Sequence, residues 1–182
     1  MDELGNGNTI GMNISYSEEP QILGTGGGIK KADIFLDGNP FLVINGDILV
    51  DIDLDKLMAF HQKKKGIATL VLRDDPDVMQ YGDLEVDASS QIRNILGKAP
   101  AISVRTQKKM FTGIHIIERK GLDYIPSGRF YSIIDAYVEM LHKGEKLFGY
   151  SMQGYWNDIG VPKRYNEVNR AMEAGRIQLS YM

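Results

Sequence analysis

Two short runs constrain this chain more than any other feature. Phe41-Leu42-Val43-Ile44 is unbroken apolar sequence, and Ile67 to Leu72 is nearly so. A half-exposed strand alternates apolar and polar residues, whereas an unbroken run belongs to a strand covered on both faces. Between the two runs, Leu54, Leu57, Met58 and His61 fall on one face of a helix. Asp53 is placed to cap that helix, and Lys63, Lys64, Lys65 and Gly66 are placed to close it at a left-handed C-cap. A buried strand, a helix and a second buried strand predict an α/β layered domain with a largely parallel sheet. The length of 182 residues fits one domain, spanning 1–182.

Other elements follow from periodicity and end signals. Met12 to Tyr16 alternates like a strand, and a helix is expected over about 26–36 with glycines at its start. Asp83-Leu84-Glu85-Val86 and Gln91 to Ile95 alternate around an Ala88-Ser89-Ser90 turn, and Met110 to Ile117 is the longest strand candidate. Ser132 and Asp135 resemble a capping box for a helix ended by Gly144, and Lys146 to Tyr150 reads as a strand. Pro162 suits the first position of a final helix stopped by Gly175.

Composition removes several classes of function. There are no cysteines, so disulfides, thiolate nucleophiles and Cys-ligated zinc are excluded. Twenty-one Lys and Arg against 24 Asp and Glu give a net charge of −3, and no basic block exceeds three lysines, which argues against nucleic acid as a partner. No stretch approaches the ~18 apolar residues of a membrane span, and MDELGNGNTIG has no signal or transit character, so a cytoplasmic protein is expected.

Three segments can carry chemistry. Gly24-Thr25-Gly26-Gly27-Gly28 enters a helix; it fails the dinucleotide G-x-G-x-x-G pattern at Ile29, and no Gly-Lys-Ser/Thr of a Walker loop occurs. Free N–H groups and missing Cβ atoms at such a loop suit a phosphate or a planar base, but a tight structural turn needs the same glycines. Asn45-Gly46-Asp47 follows a buried strand, reading either as a hairpin turn or as a carboxylate at the strand end where α/β sheets bind ligands. Tyr155-Trp156-Asn157-Asp158-Ile159-Gly160 reads either as a packed core corner or as the setting of a second acid, far along the chain from Asp47. If the fold unites Asp47 and Asp158, their carboxylates must lie roughly 4–6 Å apart to share a Mg²⁺ at about 2.1 Å from each. His61 and His115 read as packing residues, His142 as a helix C-terminal residue, and Arg73-Asp74-Asp75 as solvated surface.

Taken together, Leu23 to Ile29, Phe41 to Asp47, Phe111-Thr112-Gly113-Ile114 and Tyr155 to Pro162 resemble, in that order, the sugar-1-phosphate nucleotidyltransferases, especially mannose-1-phosphate guanylyltransferase-like members. The resemblance runs from about Gly11 to Ala171. It implies a Rossmann-like three-layer α/β/α, GT-A-like domain with a mostly parallel mixed sheet. The reaction implied is attack of a sugar 1-phosphate on the α-phosphorus of a nucleoside triphosphate, releasing pyrophosphate. By position, Asp47 and Asp158 become catalytic Mg²⁺ ligands, Gly24, Thr25 and Gly26 line the nucleotide, and Gly113 lies near the sugar. Lys98 matches a lysine that contacts the sugar phosphate, although Gly97-Lys98-Ala99-Pro100 stands where the family reads Glu-Lys-Pro.

The family also opens with a strand, an Arg-bearing glycine loop and a Pro-Lys pair that grip the triphosphate. Nothing before Gly11 resembles them, so an N-terminally truncated domain with impaired transfer is expected. A sheet edge left open there would favour a homo-oligomer. Two other classes compete. Asp51-Ile52-Asp53 offers the Asp-x-Asp metal signature of a nucleotide-sugar-dependent glycosyltransferase, and a catalytically silent sugar-nucleotide-binding module requires no turnover.

Overall fold

A computed structural model describes residues 3–75, 83–99 and 103–181. The elements, in chain order, are α1 (Gly24–Lys31), β1 (Phe41–Ile44), β2 (Ile48–Val50), α2 (Leu54–Lys64), β3 (Ala68–Arg73), β4 (Asp83–Asp87), β5 (Ile92–Ile95), β6 (Thr106–Ile117), α3 (Ile133–His142), β7 (Leu147–Ser151), β8 (Trp156–Asp158) and α4 (Pro162–Glu173). The main sheet runs β5-β4-β6-β3-β7, with β1 also on β6, while β2 and β8 form a separate two-stranded ribbon.

The expected three layers are present. One face of the sheet buries Leu70, Leu72 and Ile117 against Ile133, Ala136, Tyr137 and Met140 of α3, and α1 packs beside α3. The other face buries Val71, Ile114 and Ile116 under Leu57 of α2. Strand β3 is therefore covered on both sides, as its unbroken apolar run requires. Each fully buried Leu or Ile there contributes roughly 1.5–3 kcal/mol of transfer free energy.

The pairing differs from the expected, mostly parallel sheet. Only β3–β7 is parallel; β1–β6, β3–β6, β4–β5 and β4–β6 are antiparallel among the described residues. The cause is the 12-residue β6, which runs through the middle of the sheet against its neighbours. An unbroken apolar strand reports burial on two faces, not the direction of its neighbours.

Strand β6 is kinked. Leu70 pairs with His115 but Leu72 with Phe111, so two extra residues bulge from β6 around Gly113, whose φ is +78°. Beyond the bulge β6 pairs with β1, and before it with β4. The asparagine after β1 follows this distortion, Asn45 N–H donating to Gly113 O at 3.2 Å. Because β1 and β2 lie in different sheets, Asn45-Gly46-Asp47 is a turn between sheets and not a hairpin.

End signals hold with two exceptions. Asp53 caps α2 by accepting from Lys56 N–H at 2.9 Å, and Ser132 caps α3 through Ile134 N–H at 3.2 Å. However, α2 closes on Lys65 in the left-handed region, φ +53°, and not on Gly66. Gly66 is needed instead because a Cβ there would lie 2.6 Å from Lys146 O. Residues 12–16 form no strand, since alternation without a neighbouring edge cannot make a ladder.

Gly113→Ala is expected to destabilise the domain by about 1–2 kcal/mol or more, from left-handed strain alone. The added Cβ would also stand 2.7 Å from Asn45 Nδ2. A lowered urea midpoint at unchanged m-value is the measurement.

Candidate functional site

The ends of β1, β8 and the β6 bulge converge with the start of α3 around a cleft of about 300 Å³. Thr25, Asn45, Gly113, Ser132, Trp156 and Asp158 line it. A larger hollow of about 530 Å³, bordered by Asp87, Arg105 and Gly149, lies elsewhere and includes none of these residues.

The two acids singled out by sequence come together beside this cleft: Asp158 lines it, and Asp47, which does not, lies next to Asp158. Asp158 ends β8 opposite Ile48, and Ile159 N–H donates to Asp47 O at 2.8 Å, fixing the two backbones together. A Cβ on Gly160 would lie 2.7 Å from Asp47 Oδ2 and 3.1 Å from Asp158 Oδ1. Both oxygens thus crowd a single point, the position a methyl group would take. A side chain at position 160 would have to displace a carboxylate.

Asp158 Oδ1 also accepts from Gly160 N–H at 2.9 Å and from the Arg164 guanidinium at 3.1 Å. No group of three or more His, Asp or Glu side chains converges on a metal position among the described residues. The donor set therefore fits a hard cation that keeps several waters or takes phosphate oxygens, and does not fit a closed all-protein cage.

Trp156 joins the ribbon to the main sheet. Its Nε1–H donates to Thr112 O at 2.9 Å, within the bulge. Arg73 lies 5.3 Å over the indole ring and donates to Trp156 O at 3.2 Å. Arg73 is thus a clamp and not the solvated surface charge its local run suggested.

The glycine-rich segment is partly explained by packing. Gly26 and Gly27 N–H both donate to Tyr131 O, at 2.9 and 3.1 Å. Thr25 Oγ1 accepts from Ile133 N–H at 3.0 Å, adding a second cap to α3. A Cβ on Gly24, Gly26 or Gly27 would press within about 3.0 Å of the 129–133 segment. These glycines let two helix starts approach closely, and the Gly26 and Gly27 N–H groups, two of the donors expected to be free, are engaged. Thr25 nevertheless borders the cleft.

Lys98 is not among the cleft-lining residues. Its ammonium stands 3.7 Å from Asp135 on the first turn of α3, and its carbonyl lies 2.8 Å from His142 Nε2. Pro100 of the same motif lies outside the described residues. Asp51 and Asp53 have other partners: Asp51 accepts from Ser180 N and Oγ, and Asp53 caps α2.

His61 is buried between Thr69 Oγ1 at 2.9 Å and Glu118 Oε1 at 3.3 Å. Burial lowers its pKa, partly offset by Glu118. His115, beneath the cleft, shares a hydrogen bond with the Tyr137 hydroxyl, and burial pushes its pKa down to about 3. Both are packing residues, as read from sequence. Asn45, Arg73 and Arg164 are the site residues that sequence reasoning left without a role. Asn45 had a signal, being adjacent to Gly46-Asp47; the two arginines had none.

An α/β domain with a cleft at its strand ends, where such sheets commonly take ligands, is the class defined by this sheet. The nucleotidyl transferase family model matches residues 1–175, and the chain belongs to that family, among the sugar-1-phosphate nucleotidyltransferases. It is 32% identical over 165 residues to the mannose-1-phosphate guanylyltransferase of Mycobacterium tuberculosis, covering 90% of this chain and 45% of that protein. It is also 32% identical over 189 residues to the UTP–glucose-1-phosphate uridylyltransferase of Synechocystis, covering 94% of this chain and 48% of that protein. The chain thus spans about half the length of these relatives. Among solved structures, a putative glucose-1-phosphate thymidylyltransferase from Bacillus anthracis matches with a TM-score of 0.75 at 23% identity, over 92% of this chain and 68% of that one. HddC from Yersinia pseudotuberculosis, complexed with GMP-PN, gives 0.73 at 22% identity, over 94% and 72%. No helix among the described residues is long and apolar enough to cross a membrane.

A pH dependence follows from the buried imidazoles. Each binds a proton more readily in the unfolded chain, near the usual His value of about 6.5, than when folded. Stability is therefore full above that value and falls as pH drops below it. For His115 the loss between pH 7 and pH 5 is about 2 kcal/mol. At Asp87 burial opposes ionisation, but hydrogen bonds from Ser89, Arg93 and Gln91 outweigh it and hold the carboxyl at about 2, so its contribution fades only below about pH 4. Urea unfolding at the two pH values is expected to show the loss, and His115→Gln to remove about one proton from the slope.

Proposed function

We propose that this cleft carries out nucleotidyl transfer from a nucleoside triphosphate to a sugar 1-phosphate, forming a nucleoside-diphosphate sugar and pyrophosphate. The observation that carries the reading is the juxtaposition of Asp47 and Asp158 across Gly160, with one oxygen of each 2.7 and 3.1 Å from the position of a Cβ there. The family and the names of the relatives support the same chemistry.

In this reading Asp47 and Asp158 hold Mg²⁺, which when bound supplies charge neutralisation to phosphate oxygens. The remaining work is positioning. Asn45 and the Gly113 backbone, which both line the cleft, would face the sugar in this reading. Thr25, with Gly24 and Gly26 behind it, borders the nucleotide side. Trp156, held by Thr112 and Arg73, keeps Asp158 at a fixed depth. Lys98, paired with Asp135 and outside the cleft lining, is given no part in this reading.

The test is pyrophosphate release from the purified chain with Mg²⁺, across the common nucleoside triphosphates and hexose 1-phosphates. Weak turnover that depends on both substrates is the expected result, since no segment of the chain resembles the family's Arg-bearing triphosphate loop. Asp47→Asn or Asp158→Asn should lower it by about 10²–10³, as loss of a charge-stabilising group does. Release that requires no sugar 1-phosphate, or that survives both substitutions, contradicts the reading.

A further inference from the structure

Arg164 belongs to neither acid's own segment, yet its guanidinium contacts Asp158, which lines the cleft. It lies on the first turn of α4, after Pro162 sets the helix start, and stands 3.1 Å from Asp158 Oδ1. That oxygen is one of the two crowding the Gly160 position, the other being Asp47 Oδ2. Two carboxylates held this close repel one another, and one guanidinium leaves the trio with a single net negative charge. A cation bridging Asp47 Oδ2 and Asp158 Oδ1 would have to share the second oxygen with Arg164.

We propose that Arg164 is a built-in counter-ion of the acid pair, competing with a divalent cation for Asp158 and setting the cation affinity of the cleft. The proposal rests on the reading of Asp47 and Asp158 as the cation-binding pair. With no cation bound, the guanidinium keeps Asp158 from turning away from Asp47, so the site stays assembled. On cation binding, Arg164 must give up or lengthen its contact with Oδ1. The arginine is a positioning residue, acting through Asp158. Both partners are partly exposed, 32% and 26%, so solvent screens the pair and the competition is modest.

Binding of Mn²⁺ alone to the full 182-residue chain, followed by the electron-spin resonance signal of the free ion, tests this without turnover. Arg164→Gln should tighten Mn²⁺ roughly two- to fivefold, while Arg164→Lys, which keeps the charge, leaves the affinity close to that of the parent. Asp158→Asn should abolish site binding. An Arg164→Gln affinity equal to or weaker than that of the parent overturns the counter-ion role, even with binding still dependent on both acids. Binding that persists unchanged in Asp47→Asn and Asp158→Asn overturns the cation-site reading itself. If Arg164→Gln does not fold, Mg²⁺ titration of the unaltered chain decides. The Arg164 Nε–H resonance, identified by its loss in Arg164→Lys, is expected to shift with the same midpoint as the Asp158 amide. An unmoved Nε–H overturns the proposal.

Discussion

The structure depends on the left-handed bulge at Gly113 in β6. Without it β6 would be a continuous ladder and its two halves would share one register with β3. With two residues extruded, the strand carries β4 on one stretch and β1 on the next, and the backbone between them turns outward. Thr112 O is thereby presented to the Trp156 indole and Gly113 O to Asn45 N–H. Bulges next to ligand sites commonly re-aim groups in this way. The same distortion therefore sets the cleft wall, the path of the chain after β1 and the attachment of the β2–β8 ribbon.

The ribbon is small; Ile48, Val50 and Trp156 pack it on the cluster of Leu57, Val71, Ile114 and Ile116, and a few polar contacts fix its position. Trp156 is tied on one side to the bulge and on the other to Arg73, so the aromatic ring acts as a spacer between two sheets. Asp158 lies two residues further along the same strand. Its depth in the cleft follows from where the indole rests, which couples a packing interaction to an electrostatic one.

The glycine-rich start of α1 shows how a motif can satisfy two demands. Close approach to residues 129–133 accounts for the missing Cβ atoms at Gly24, Gly26 and Gly27. The hydroxyl of Thr25 completes the cap of α3 from a distant part of the sequence. The result is a pair of helix starts braced against each other at the cleft's edge, with the Gly26 and Gly27 donors satisfied by protein.

Much of this was legible in the chain itself. Buried strands declare themselves by unbroken apolar runs, helices by Asp53, Ser132 and Pro162 at their starts, and the acid-bearing segments by their positions after strands, because these signals are local. The direction of strand pairing was not legible: β6 carries no mark of whether its neighbours run with it or against it. Nor could the run Arg73-Asp74-Asp75 disclose that its arginine lies over the only Trp, or Arg164 that it faces Asp158. Such contacts depend on how separate elements are laid together in space. Sequence alone determined the layers, the helix ends and the residues available for chemistry, since propensity and periodicity act over a few residues. The tertiary structure alone decided that Asp47 and Asp158 face one another across Gly160, because the approach of residues so far apart in the chain is set by packing and register and by no local preference.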